Sequence, residues 1–285
     1  MSRPLLIFGA GGQVGGTLVA AARAAGRAVV GLDRAACDIA DGAAVEQAVA
    51  KAAPGLIVNA AAFTDVDRAE GEADAAFRVN RDGAGLIARA AAGAGAGLIH
   101  LSTDYVFDGA KTEPYDEDDP VRPLNVYGAS KAAGEAAVRA AGGRHLILRT
   151  SWVFSARGRN FFSTLGRRVA GGQRSFRMVD DQHGGPTPAG AIAGAILRLG
   201  DALQADGRAG GTYHFSGHPA VTPFGFARRA LGGHPGIDLE ACATAAFRQA
   251  AIRPANSVLS CHRIGRDFGL DQPDWRQALA QGASP

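Results

Sequence analysis

Cysteine is scarce in this sequence of 285 residues. Cys37, Cys242 and Cys261 are odd in number, lie far apart and show no CxxC spacing. A disulfide framework needs cysteine pairs, and a structural zinc site needs closely spaced ligands. The pattern argues against both and predicts free thiols in a reducing compartment.

Long apolar runs are also lacking. No uninterrupted apolar stretch reaches the roughly 18 residues of a membrane-spanning helix. The chain passes from Met1 into the apolar run LLIF at residues 5–8, and no basic segment or cleavage site comes before it. We therefore expect a cytoplasmic protein without a membrane partner.

Dense positive charge and aromatic side chains are missing too. The formal net charge is only +3, no Lys/Arg block occurs, and aromatic residues make up 7% of the chain. Nucleic-acid binding uses a basic surface and stacking aromatics, so we expect no nucleic-acid partner. The acidic run Asp116–Asp119 lies between Pro114 and Pro120. Its setting is typical of a solvated loop, and we predict no metal site.

Short apolar runs alternate instead with segments of helical length, such as Asp41–Ala53 and Asp74–Ala92. The runs are Leu5–Phe8, Ala28–Leu32, Leu56–Asn59, Leu98–Leu101 and His145–Arg149. Continuous apolar strands separated by helices predict a parallel sheet covered on both faces, which is a doubly wound α/β fold. We assign residues 1–150 to this main domain. Residues 151–285 are less regular and are expected to form mainly a smaller lobe, with some segments returning to the sheet.

A glycine loop follows the first predicted strand. The sequence GAGGQVG places Gly9, Gly12 and Gly15 between LLIF and a helix predicted to begin near Gln13. Backbone amides at such a helix start can bind a pyrophosphate, and the helix dipole favours its negative charge. The context favours a dinucleotide site, although a tight turn without a ligand would use the same glycines.

The end of the second predicted strand bears on the choice of dinucleotide. Asp33 is placed to bond a ribose 2′-hydroxyl, which favours NADH, whereas the adjacent Arg34 suits the 2′-phosphate of NADPH. Both cofactors stay open. Further on, Asp38 and Ile39 could contact the adenine, or Asp38 could cap the next helix.

Small and hydroxyl residues follow the third and fourth predicted strands. Ala60–Ala62 would allow a cofactor to approach closely, and Thr64 adds a hydroxyl to the same crevice. Ser102, Thr103 and Asp104 lie at the crevice mouth, where Ser102 could equally be a turn former. Together these residues predict a polar site at the carboxyl edge of the sheet.

Tyr127 and Lys131 are four residues apart in a predicted helix and therefore share a helix face. Reducing a ketone with hydride requires a proton for the developing alkoxide. A free tyrosine has a pKa of about 10, and a nearby ammonium favours the phenolate. Such pairs are common on ordinary helices. Beside the glycine loop and Thr103, however, this pair predicts a proton donor and the residue that lowers its pKa.

These motifs together resemble the dTDP-4-dehydrorhamnose reductase family of the extended short-chain dehydrogenase/reductase superfamily. The resemblance extends over most of the chain. It is carried by GAGGQVG, VNAAAFTDVDRAE, LSTDYVFDG, PYDEDDPVRPLNVYGASKAAGE, LRTSWVF, DDQHGGPT and RPANS. It implies a Rossmann domain of the extended type, a dTDP-sugar substrate, and reduction by NADPH or NADH of the C4 ketone of dTDP-4-dehydro-L-rhamnose.

The resemblance also implies roles for individual residues. The expected catalytic residues are Tyr127, Lys131 and Thr103. The expected cofactor-binding residues are Gly9, Gly11, Gly12, Gln13, Val14, Asp33, Asp38, Ile39, Ala61, Ala62 and Thr64, together with Tyr127 and Lys131. The expected substrate-binding residues are Thr103, Asp104, Trp152, Asn160 and Arg253. For Arg253, a surface salt bridge is an equally good interpretation.

Two departures from related patterns narrow the expectation. Tyr105 stands where sugar-nucleotide dehydratases of the superfamily carry a glutamate, which suits ketone reduction without an elimination step. Gly15–Ala20 and Pro188–Gly194 lack the acidic residues that some members use for a magnesium-linked dimer. We therefore expect a monomer or a weak homodimer.

Two other functions stay open on the sequence alone. One is a reductase or epimerase of another nucleotide-sugar. The other is a non-catalytic regulatory subunit resembling the β subunit of methionine adenosyltransferase.

Overall fold

A computed structural model describes residues 3–156, 158–205, 210–232 and 234–280. The strands are β1 (Leu5–Phe8), β2 (Val29–Leu32), β3 (Leu56–Asn59), β4 (Gly97–Thr103), β5 (His145–Thr150), β6 (Val153–Phe154), β7 (Ser175–Val179), β8 (Thr187–Pro188), β9 (Gly211–His214) and β10 (Asp238–Cys242). A six-stranded parallel sheet has the order β2-β1-β3-β4-β5-β9. The predicted doubly wound sheet is confirmed, and each predicted apolar run overlaps one of its strands.

Helices lie between the strands and cover the sheet. They are α1 (Gln13–Ala24), α2 (Gly42–Ala52), α3 (Val66–Gly71), α4 (Ala73–Phe77), α5 (Ala84–Gly93), α6 (Val126–Ala140), α7 (Phe161–Ala170), α8 (Ala189–Ala205), α9 (Pro223–Leu231), α10 (His262–Phe268) and α11 (Trp275–Ala280). A π-helix (Arg78–Gly83) joins α4 to α5, and a short 3₁₀ helix (Asp104–Val106) follows β4. Across the described ranges, no helix is long and apolar enough to cross a membrane.

The two faces of the sheet build two separate cores. Alternate side chains of a strand point to opposite faces. In β1, Leu5 and Ile7 therefore pack among residues of α1 and α8, whereas Leu6 and Phe8 pack among residues of α2 and α5. All residues of β1 are buried, which explains why the strand is a continuous apolar run.

The segment predicted as one helix over Asp74–Ala92 contains the π-helix in its middle. The π-helix lies against α6 at a glycine, since a Cβ at Gly134 would lie 2.1 Å from the Asn80 carbonyl oxygen. π-Helical turns are rare and often mark functional sites. This turn places the Asn80 side chain next to α6, where it is buried.

The second half of the chain divides between the main sheet and smaller sheets. β9 pairs with β5, and α8 packs on the sheet beside α1. β7 pairs with β10, and β6 pairs with β8. Phe176, Met178 and Leu231 form part of a separate small core under β7 and α9.

Candidate active site

The strand order places a crevice between β1 and β3. In a doubly wound sheet, ligands bind at the carboxyl ends of the strands where the order reverses. β1 lies between β2 and β3, so the order reverses there. The glycine loop follows β1, and Ala60–Thr64 follows β3. The two segments touch, since a Cβ at Gly9 would lie 2.5 Å from the Ala61 nitrogen.

The glycine loop fits a dinucleotide diphosphate. Gly9 has a φ of +82°, and a Cβ at Gly15 would lie 2.1 Å from the Gly9 carbonyl oxygen, so side chains at these positions would force the turn open. Helix α1 begins at Gln13 with no acidic residue in its first turn, and among the described residues no side chain caps it. Its amides and dipole therefore face the crevice as an anion site. Gly11 and the N-cap Gly12 precede this helix start, and Gln13 and Val14 begin the helix.

The residues expected near the adenosine shape their own turns. The exposed Asp33 carboxylate accepts a hydrogen bond from the Ala36 amide at 2.9 Å, and Asp38 accepts one from the Ala40 amide at 3.0 Å. Asp38 does not cap the next helix, because the N-cap of α2 is Asp41. Ile39 is buried.

Ala61 and Ala62 are half-buried at the end of β3, and Thr64 is exposed. These small side chains lie on the crevice side opposite the glycine loop. Their small size favours the close approach of a cofactor to the carboxyl ends of β1 and β3.

Thr103, Asp104 and Tyr127 meet at the end of β4. The Thr103 hydroxyl donates to the Asp104 carboxylate at 3.0 Å, and it lies close enough to the Tyr127 phenol to affect the pKa of that group. Thr103 caps the 3₁₀ helix by accepting from the Tyr105 amide at 3.2 Å. Helix α6 begins after Asn125, whose side chain accepts from the Gly128 amide, and this cap fixes the position of Tyr127.

Burial dominates the acidity of this group. It raises the pKa of Tyr127 to about 12; the Asp104 charge adds to the increase, whereas the nearby Thr103 hydroxyl opposes it. Burial also raises the pKa of Asp104 to about 6, and the nearby Ser257 hydroxyl and the hydrogen bond from Thr103 oppose this increase. One Asp104 oxygen, Oδ2, has no close hydrogen-bond partner in the described part of the chain. The Ser257 hydroxyl donates at 3.3 Å to the His183 carbonyl and affects Asp104 by proximity.

Lys131 lies one helical turn after Tyr127 and is buried. Its ammonium donates to the Leu101 carbonyl at 2.7 Å. Burial lowers the pKa of Lys131 to about 8, and the charge of Glu135 opposes this decrease. The sequence predicts that Lys131 lowers the pKa of Tyr127. In the structure burial outweighs any such effect, and the Lys131 ammonium is directed to the end of β4.

Asn80 is a site residue that the sequence motifs do not identify. Its side-chain amide donates to the Ser130 hydroxyl at 2.9 Å and to the Phe63 carbonyl at 3.0 Å, and its oxygen accepts from the Phe63 amide. Ser130 in turn donates to the Tyr127 carbonyl at 2.7 Å. Asn80 therefore ties the crevice segment after β3 to the helix that carries Tyr127. The available signal was an asparagine, a weak helix former, inside an alanine-rich helical segment.

Trp152 and Asn160 come from the second half of the chain. Trp152 has a φ of +42°, unusual for a bulky residue, and its half-buried indole lies directly over Gly184, where a Cβ would be 2.4 Å from the ring. Asn160 caps α7, and its amide donates to the Gln13 side chain at 2.7 Å. Asn160 thus contacts the helix start at the glycine loop.

Arg253 forms a salt bridge and also approaches the site. Its guanidinium binds both carboxylate oxygens of Asp67, at 3.1 and 2.7 Å. Its guanidinium also lies close to the side chain of Tyr105, whose ring centroid lies 5.9 Å from that of Tyr127. Arg253 therefore joins α3 to the edge of the site.

Ser102 has a role behind the site. It is buried, and its hydroxyl donates to Glu135 at 2.7 Å. Glu135 also accepts two hydrogen bonds from Arg149, at 2.8 and 2.7 Å. The hydroxyl that could have formed a turn instead joins β4 to a buried ion pair.

The acidic run after β4 is engaged in ion pairs. Asp119 accepts from the Lys111 ammonium at 2.6 Å, and Asp118 pairs with Arg263. Across residues 3–280, leaving aside the undescribed positions, no group of three or more His, Cys, Asp or Glu side chains could hold a metal ion.

Comparisons with known proteins agree with this geometry. The family model for the RmlD substrate binding domain matches residues 3–284. A dTDP-4-dehydrorhamnose reductase of Burkholderia thailandensis is 41% identical over 288 residues, which cover 96% of this chain and 96% of the relative. One of Sinorhizobium fredii is 40% identical, covering 96% and 94%. The crystal structure of dTDP-4-dehydrorhamnose reductase from Bacillus anthracis in complex with NADP superposes with a TM-score of 0.92 and 34% identity, covering 99% and 98%.

Proposed function

The chain belongs to the RmlD substrate binding domain family, and from this premise we propose that it reduces the C4 ketone of dTDP-4-dehydro-L-rhamnose to give dTDP-L-rhamnose. The observation that carries the proposal is the cluster at the end of β4, where the Thr103 hydroxyl bonds Asp104 close to the Tyr127 phenol and the buried Lys131 ammonium bonds the Leu101 carbonyl. This arrangement combines a proton donor, a second hydroxyl and a positive charge at the crevice.

The reaction divides between cofactor and chain. When bound, NADPH or NADH supplies the hydride that is added to C4 of the sugar. Tyr127 supplies the proton to the C4 oxygen and is left as a phenolate. Thr103 holds the same oxygen in reach of Tyr127, and the positive charge of Lys131 stabilises the phenolate. In this proposal Lys131 also bonds the ribose of the cofactor.

The cofactor lies, in this proposal, along the crevice from the adenosine end to Tyr127. The diphosphate is held at the start of α1, the adenosine by Asp33, Asp38 and Ile39, and the remaining cofactor by Ala61, Ala62 and Thr64. Residues 151–285 mainly complete the substrate side of the crevice.

The dTDP-sugar would contact Asp104, Trp152, Asn160 and Arg253. Asp104 supports this assignment best, because its buried carboxylate keeps an oxygen without a close partner among the described residues, which a sugar hydroxyl would satisfy. Arg253 supports it through its fork geometry, although Asp67 already occupies one edge of the guanidinium.

We also propose a monomer or a weak homodimer. Gly15–Ala20 and Pro188–Gly194 carry no acidic residue for a shared magnesium ion. These segments belong largely to α1 and α8, which pack against each other in the core.

The test is a panel of nucleotide-sugars, including dTDP-4-dehydro-L-rhamnose and UDP-linked keto-sugars, with NADH and NADPH in turn. We expect cofactor oxidation with the dTDP-4-keto-sugar and formation of dTDP-L-rhamnose. No turnover by folded protein that binds cofactor would reject the proposal. Turnover of another nucleotide-sugar alone would reject dTDP-4-dehydro-L-rhamnose as the substrate, but it would support ketone reduction as the reaction.

A further inference from the structure

One face of α6 carries charged residues that have no role in the proposed reaction. Tyr127, Lys131, Glu135 and Arg139 follow each other at intervals of four residues, so they line one side of the helix. The first two lie at the crevice. Glu135, one turn deeper, is only 1% exposed and has no role in the reaction as proposed.

Four hydrogen bonds from three residues fix the Glu135 carboxylate. Arg149, itself 1% exposed, binds both of its oxygens at 2.8 and 2.7 Å. Ser102 donates to one oxygen at 2.7 Å, and Arg139 donates to the other at 3.0 Å. Burial disfavours the charged form, but Arg149 outweighs it and brings the pKa of Glu135 to about 2. Glu135 is therefore ionised throughout the neutral range.

The end of β4 connects this carboxylate to the Lys131 ammonium. Lys131 donates to the carbonyl of Leu101, and the next residue, Ser102, donates to Glu135. Lys131 and Glu135 thus bind consecutive residues of one strand and lie one helical turn apart.

The other groups around Lys131 provide little compensating negative charge. Its neighbours include Tyr127, one turn earlier on α6, and His100 on β4. Burial and the charge of Lys131 hold the pKa of His100 well below its usual value, so this ring is neutral. Behind Glu135, burial lowers the pKa of His214 on β9 to about 3, so it is neutral as well.

We propose that Glu135 is a positioning residue that keeps the buried Lys131 in its ammonium form, and that Arg149, Arg139 and Ser102 hold Glu135 for this purpose. A buried ammonium loses its hydration and needs a fixed negative charge nearby. The Glu135 carboxylate provides that charge one helical turn from Lys131, and the two arginines keep it ionised and fixed in place. The effect of Glu135 on turnover rests on the proposed function. Its effect on the charge of Lys131 does not.

The first test measures the Lys131 charge without cofactor or substrate. The chain has three lysines, Lys51, Lys111 and Lys131, so ¹³C-lysine labelling gives a small set of ε-carbon signals to follow by NMR against pH. In Glu135→Gln, we expect the Lys131 titration to move to lower pH by about one unit or more, because a nearby carboxylate charge is lost. The signals of Lys51 and Lys111 serve as internal controls and should not move.

Two further variants keep the test decisive. Glu135→Gln leaves Arg149 buried without its main partner and could unfold the protein. Glu135→Gln/Arg149→Met removes both charges, and its Lys131 should still titrate at lower pH than in the wild type. Glu135→Asp retains the charge and should restore much of the wild-type titration. A folded variant lacking the carboxylate whose Lys131 titrates as in the wild type would overturn the proposal.

The second readout is the alkaline limb of the kcat/KM profile. Lys131 is fully protonated at pH values well below its pKa, and it loses this proton as the pH rises through that pKa. In Glu135→Gln the limb should therefore move to lower pH, in step with the NMR titration. Glu117→Gln is the matched control, since Glu117 is also buried but contacts Arg149 only through its backbone carbonyl. If the NMR titration of Lys131 moves in Glu135→Gln but the alkaline limb of the kcat/KM profile does not, the role of Lys131 in turnover is rejected. The effect of Glu135 on the charge of Lys131 would still stand.

Discussion

Tyr127 is held in its protonated form by its surroundings. Burial raises its pKa to about 12, whereas an activated base would need a lowered value. A protonated phenol suits the direction of ketone reduction, in which the tyrosine gives its proton away. The positive charge of Lys131 then matters most after transfer, when a phenolate forms in a buried place.

Asp33 is the residue that most directly tests cofactor choice. In Asp33→Ala we expect the KM for NADH to rise by about tenfold, because a charged hydrogen bond to the ribose 2′-hydroxyl is lost. The KM for NADPH should change by about twofold or less, since its 2′-phosphate gains nothing from a carboxylate. Steady-state kinetics with both cofactors measures the difference. An equal change in both values would show that Asp33 does not read the 2′ position.

Among the secondary-structure elements, the strands and the glycine loop could be predicted from the sequence, because each depends on a pattern of neighbouring residues. Leu5–Phe8 and Leu56–Asn59 are strands over the whole predicted range. The π-helix could not be predicted from the sequence. Its Asn80 side chain bonds Phe63 and Ser130, which lie 17 and 50 residues away in the chain. Such partners come together only in the folded molecule.

The close packing of α6 on the π-helix gives a stability prediction. A methyl group in Gly134→Ala would lie 2.1 Å from the Asn80 carbonyl oxygen, so we expect a loss of about 1–3 kcal/mol of unfolding free energy. Activity should fall as well, because α6 carries Tyr127 and Lys131. Urea unfolding measures the first effect.

The matched control is Gly194→Ala in the interior of α8. A Cβ at Gly194 would meet no atom of the described residues within 4 Å, so helix propensity alone should act. We expect this variant to gain about 0.5–1 kcal/mol. A Gly134→Ala protein as stable as Gly194→Ala would contradict the packing described for α6.

Across the whole molecule, the sequence predicted which residues lie together at the crevice, but it did not predict their pKa values. Tyr127, Thr103 and Asp104 were found from spacing and strand ends. Their pKa values depend on how deeply they are buried, which spacing does not reveal. The short strand β9 was equally hard to foresee, since Gly211–His214 offers few apolar residues.

Asp104 should make global stability depend on pH. Its pKa in the folded protein is about 6, above the ordinary value of 3.8. The folded state therefore keeps a proton that the unfolded state releases between these values, and Asp104 lowers the unfolding free energy as pH rises through this window. Its full cost, roughly 3 kcal/mol, is present above pH 6 and absent below pH 3.8.

The variant Asp104→Asn removes this cost. Compared with the wild type, it should be more stable by a few kcal/mol at pH 8, and the gain should shrink towards pH 4. Denaturant unfolding at both pH values measures it. A gain of the same size at both values would mean that the Asp104 charge is not the cause.

The most direct test of the central claim is the single-turnover rate of cofactor oxidation with dTDP-4-dehydro-L-rhamnose in Tyr127→Phe. Loss of the proton donor should slow this step by about 10²- to 10⁴-fold while the Kd of the cofactor stays near the wild-type value. Tyr105→Phe, which alters the neighbouring ring 5.9 Å away, should slow it far less. A Tyr127→Phe protein that reduces the sugar at close to the wild-type rate would contradict the account.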